Sequence, residues 1–162
     1  MRASHFRFYR TVLAALALSA CAAPKPPISD QGAFAPEKDR VVILVGVAGT
    51  DLVNRFNDGD GATHEIGKAL KGVFAFSYPV GKTFKIKRVV LQSNKSGVDY
   101  RYADIGNSPS LTPDRPGIYY YATINTVGNT VAVNQRDQAE LLFLAREKYK
   151  NVFQQLTPVN FK

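Results

Sequence analysis

The 162-residue chain has no tryptophan, one cysteine, one methionine and two histidines. A single cysteine excludes an intrachain disulfide framework and any Cys-x-x-Cys zinc or redox pair. Two histidines, one of them His5 near the N-terminus, are too few for a histidine-based metal centre. No apolar run reaches the roughly 20 residues that a membrane-spanning helix needs. Acidic residues are also short, with 13 against 21 Lys and Arg, for a net charge of +8. Apolar material is not lacking. At 45% hydrophobic and 21% charged, the chain is no disordered tail and can build one core of ordinary size.

Much of that composition belongs to the first segment. Arg2, Arg7 and Arg10 precede a short apolar stretch, residues 11–20, and Pro24, Pro26 and Pro27 follow it. This is the layout of a secretory signal, too short to span a membrane. Its last four residues, Leu18-Ser19-Ala20-Cys21, resemble the lipobox of bacterial lipoproteins. The resemblance implies diacylglycerol and palmitate on Cys21, cleavage before it, and a mature chain held at a membrane. Two or three acyl chains anchor stably where one does not, at about 0.8 kcal/mol per buried CH₂. Ala22, rather than Asp, after the cysteine implies the periplasmic side of an outer membrane. Loss of residues 1–20 removes three arginines and no acid, leaving 18 basic residues against 13 acidic, or +5.

The expected organisation is a signal peptide at 1–20, a lipidated Pro-rich tether at 21–39 and one domain at 40–162. As an extended tether, the 18 residues from 22 to 39 would reach on the order of 55 Å. Within the domain, residues 41–47 read VVILVGV, a strand buried on both faces. Residues 73–78 and 83–91 alternate, placing Phe74, Phe76 and Tyr78 on one face and setting Phe84 and Ile86 opposite Lys85 and Lys87. Residues 79–82 read as a hairpin-like link between them. Further strands are expected at 98–102, 117–127 and 130–133, the last two joined by a turn at Gly128 and Asn129. Between Gln135 and Leu156 the period becomes helical, with Asn134 as N-cap and Pro158 beyond the end. The pattern predicts a mainly β chain: an antiparallel β-sandwich or small barrel with one C-terminal amphipathic helix. It is similar to small bacterial envelope lipoproteins of unknown function with a transthyretin-like or immunoglobulin-like sandwich. That similarity is carried by Pro116-Gly117-Ile118-Tyr119-Tyr120-Tyr121 and the helix around Ala145–Tyr149, and implies no activity.

Catalytic motifs are incomplete. A Ser-His-acid triad would need His64, yet no Gly-x-Ser-x-Gly elbow accompanies it, and the residue reads as a solvent-facing loop histidine. Gly81-Lys82-Thr83 imitates the end of a P-loop but lacks the upstream glycine and a following helix. Asn54–Glu65 has EF-hand-like spacing, with Phe56 where a ligand should stand, and reads equally as consecutive turns. No metal or other cofactor is expected.

What remains is charge. Residues 68–101 carry eight Lys and Arg against Asp99 alone, or +7. Lys85 and Lys87 are expected to share an outer face with Tyr119 and Tyr121, with Tyr120, Ala122 and Ile124 turned to the core. Such a face suits an anionic glycan, a lipid head group or an acidic periplasmic protein. It also suits plain solvation, and an exported protein has no nucleic acid to meet. The expected function is a non-catalytic outer-membrane lipoprotein that binds an envelope component or protein partner. Two alternatives stay open: a carboxylate-dependent glycan hydrolase using Glu65, Asp99 or Asp104, which needs two acids about 5–9.5 Å apart, or a structural subunit of a secretion or surface assembly.

Overall fold

The computed structural model describes residues 23–29, 35, 37–92, 99–128 and 130–161. The expected signal peptide at 1–20, Cys21, Lys95 and Asn129 lie outside the described residues. Six strands follow in chain order: β1 (Arg40–Asp58), β2 (Thr63–Pro79), β3 (Ile86–Gln92), β4 (Tyr100–Asp104), β5 (Ile118–Val127) and β6 (Thr130–Asn134). Two helices close the chain, α1 (Gln138–Lys148) and α2 (Lys150–Gln155). The strands form one sheet in the order β4-β3-β1-β5-β6, with β2 also paired to β1. It curls into a half-barrel, so the mainly β architecture with C-terminal helix is found. The sheet is mixed rather than antiparallel throughout, because β1 and β5 run parallel.

The apolar run of β1 has a simple cause. Val41, Ile43, Val45 and Val47 face the interior of the curl, while Val42 and Leu44 face the helices. Both faces are therefore dry, and alternation disappears. Gly46 lets α1 approach, since a Cβ there would stand 2.7 Å from a Leu141 methyl. Further along, Gly49 takes φ +152°, and a Cβ on it would meet the Thr126 carbonyl oxygen at 2.1 Å. Only glycine allows β1 to turn against β5 at this point.

Beyond Gly49, β1 continues to Asp58, where its second half pairs with β3, and β2 returns from Thr63. The segment Asn54–Glu65 is thus the tip of a long hairpin and not a cation loop. Residues 79–82 do not form a hairpin either. β2 lies along one edge of β1, whereas β3 and β5 share the other, so the link crosses from one edge to the other.

The expected single helix is interrupted at Tyr149, whose φ −121° and ψ 50° leave the helical region. Asn134 ends β6, and the N-terminal flank of α1 is Asp137. Tyr149 serves the sheet instead: its hydroxyl accepts the Ala75 N–H at 3.2 Å, and the Lys148 ammonium donates to the Val73 carbonyl at 2.8 Å. These contacts satisfy polar groups on the open edge of β2.

The stretch expected as a free tether is bound in part. The Lys25 N–H donates to the Thr63 carbonyl at 2.8 Å, and the Lys25 carbonyl accepts the Glu65 N–H at 2.9 Å. The Ile28 N–H donates to the Ala75 carbonyl at 2.7 Å. Between them stand Pro26 and Pro27, which have no N–H to offer. The segment straps two parts of the bent β2 together, and Ile28 packs against the outer core.

Candidate functional site

The hairpin tip holds the most unusual chemistry of the interior. Asp58 is 1% exposed and His64 0% exposed, with the imidazole Nε2 2.8 Å from the carboxylate Oδ2. The other carboxylate oxygen accepts the N–H groups of Asp60 and Ala62 at 3.0 and 2.9 Å, which shapes the turn. Burial pushes the Asp58 carboxyl up. The bond to His64, the charge of that ring and the two backbone donors outweigh it and hold the group below the usual carboxylate range. The imidazole is stacked on Phe56 at 4.8 Å and meets Phe76 and Phe84 edge-on at 5.2 and 5.8 Å. His64 is therefore a core residue, not the solvent-facing loop histidine expected. Its Nδ1 has no hydrogen-bond partner among the described residues. Nearby Tyr78 donates to the Thr83 carbonyl at 3.0 Å. Burial first, then the charges of Asp58 and Asp60, push its phenol up to about 12.

On the outer side of the same tip lies a groove of about 640 Å³. The tip glycines Gly59 and Gly61, the side chains of Lys85 and Lys87, and the pair Arg88 and Asp104 line it. Arg88 donates to the Asp104 carboxylate at 2.6 Å; this bond holds the guanidinium up and the carboxyl down. Lys85 and Lys87 have no acidic partner among the described residues, so their charge is free to meet another anion.

The structure brings Lys85 and Lys87 together as expected and separates them from the tyrosines. Tyr119 and Tyr121 are 3% and 0% exposed and line the interior. Tyr119 donates to Asp114 at 2.8 Å, and Tyr121 donates to the Pro109 carbonyl at 2.6 Å and is bonded to Ser108. The cause is twofold. Helix α1 and α2 cover the second face of β5, and its ladder to β1 slips between Tyr120 and Ala122, placing Tyr121 in a bulge. Parity flips there: Tyr120 packs under the helices, while Ala122 and Ile124 return to the interior. The tyrosines that do face solvent are Tyr100 and Tyr102 of β4, at 40% and 59% exposure, on the strand that carries Asp104 but outside the groove lining. Their spacing, either side of Arg101, was the available signal.

The candidate acids do not converge. Glu65 is paired with Arg55 at 3.8 Å, and Asp104 with Arg88. Three strand spacings, about 14 Å along the sheet, separate β2 from β4, beyond the span of a glycosidase pair. Asp99 is exposed. Among the described residues, no three His, Cys, Asp or Glu side chains are grouped to hold a metal ion. Comparison with protein-family models, with curated proteins and with solved structures finds no match.

Proposed function

We propose that the protein is a lipid-anchored, non-catalytic module of the bacterial envelope, whose basic groove binds an anionic group of an envelope component. The observation that carries the reading is the pair Lys85 and Lys87, set without acidic partners in a concave surface beside two tip glycines. Two ammonium groups and a concave wall suit a phosphate or carboxylate better than a flat charged face does. The lipobox-like Leu18-Ser19-Ala20-Cys21 supports the anchor and the outer-membrane, periplasm-facing location. The only histidine beyond the signal segment is sealed against Asp58 under three aromatic rings, out of reach of a substrate.

The test is a titration with glycerol phosphate and with a phosphorylated lipid A disaccharide, followed by amide chemical shifts. Saturable shifts at Gly59, Gly61 and Lys87 are expected. The double substitution Lys85→Glu and Lys87→Glu, at a half-buried and an exposed position, should abolish them while leaving the unfolding free energy within about 1 kcal/mol of wild type. Equal binding by both proteins would refute the groove.

A further inference from the structure

The strap and the groove share one end of the molecule, and this fixes what the groove faces. Lys25 bridges His64 in parallel, so the chain preceding Lys25 runs alongside Thr63 towards the hairpin tip. Ala23 and Pro24 therefore lead past residues 58–62, two of whose glycines line the groove. Across the sheet, Lys25 stands next to β2, β2 next to β1, and β1 next to β3, which begins at Ile86 between the two lysines. That separation is three strand spacings, or about 14 Å along the curl. With Cys21 acylated, only four peptide units join the lipid to Lys25, a reach of at most about 14 Å. The docked strap thus removes most of the freedom that an extended tether of residues 22–39 would have given.

The charge at this end fits a membrane surface. Lys85 and Lys87 line the groove; Arg88 and Asp104 neutralise each other, and Asp58 is held inside by His64. Asp60 is the exposed acid of the tip. We infer that the groove is pressed against the membrane that carries the chain, and that its anion is the head-group phosphate of that membrane's lipids. The inference rests on the anchored, anion-binding reading above and names its partner. It makes the module a lipid-facing one whose opposite end, carrying β6 and the β5–β6 turn, points away from the bilayer.

The experiment uses the lipidated protein in vesicles of phosphatidylcholine alone or of phosphatidylethanolamine with phosphatidylglycerol. A membrane-impermeant amine reagent labels exposed lysines, and mass spectrometry reads the rate at each. An anionic surface near a lysine is worth about fivefold in its association. The expected result is that phosphatidylglycerol slows labelling of Lys85 and Lys87 about fivefold or more, with recovery in high salt. Lys150 on α2, 66% exposed, should be unaffected. Glycerol phosphate added to the phosphatidylcholine vesicles forms the second arm. Protection by the free phosphate and none by the anionic vesicle overturns the membrane-facing inference and leaves the anion-binding groove standing. Protection by neither overturns both. An intact mass lacking acyl chains overturns the anchor from which the geometry starts.

Discussion

A carboxylate removed from water survives as a charge only if its oxygens are fully used, and Asp58 meets that condition through one imidazole and two backbone N–H groups. Asp58→Ala should cost about 3 kcal/mol, because the turn donors and the imidazole all lose their partner at once; the urea midpoint at neutral pH measures it. The pH dependence follows from the depressed carboxyl. Between its folded value and the unfolded value near 4, the unfolded chain binds more protons, so stability rises with pH. The contribution is complete above that unfolded value and is lost as pH falls through the folded one. Wild type should therefore lose more stability between pH 5 and about pH 2 than Asp58→Asn does; parallel profiles would sink this account. The pair was hard to read in the sequence because Asn57-Asp58-Gly59-Asp60-Gly61 resembles a solvated turn wherever it occurs. The alternation of His64 and Ile66 against Thr63 and Glu65 was the signal that His64 points inward.

At the scale of elements, the helices do more than cover an apolar face. The break at Tyr149 places a phenol against β2, where it meets the Ala75 N–H and lies 3.4 Å from the Val73 carbonyl. Tyr149→Phe keeps the ring and removes the acceptor, leaving a buried N–H unpaired. A loss of about 1–2 kcal/mol is expected, together with faster amide exchange at Ala75 and no change at Val89 in β3. Unchanged exchange at Ala75 would mean that the helix break has another cause. All six strands had some footprint in the sequence: the doubly buried run of β1, the aromatic alternation in β2, and the Lys alternation entering β3 are each direct consequences of which face is dry. What escaped was the continuation of β1 and β2 through residues 48–72. Gly49, Gly67 and Lys68 there adopt positive φ and the ladder slips twice, so no period of two persists to be read. The bulge at Tyr121 defeated the same rule in β5 and turned two expected surface tyrosines into core. The lysine half of the expected surface survived because residues 84–86 still alternate, and the slip of the β1–β3 ladder between Ile86 and Arg88 leaves Lys87 exposed together with Arg88.

For the whole molecule, the decisive contact is the least conspicuous one. In the run Pro24-Lys25-Pro26-Pro27-Ile28, backbone N–H groups exist only at Lys25 and Ile28, and both are bonded to β2. Proline elsewhere in the strap leaves nothing with which a further strand could pair, so the segment closes the edge without offering a new one. Its second effect is on geometry, since the strap decides whether the chain before Lys25 swings freely or stays close to the domain. Lys25→Pro removes the N–H that bonds Thr63 while leaving the carbonyl that receives Glu65. The expected cost is about 1 kcal/mol, a value that leaves the fold intact. Amide exchange at Glu65 and Ile28 should rise together, because one loosened residue frees the whole strap, while exchange at Leu44 in β1 stays as in wild type. Faster exchange at Glu65 alone would mean that Lys25 and Ile28 hold independently. In that event the chain before Lys25 would still leave beside the tip, but a single bond would no longer govern how far it moves from the domain.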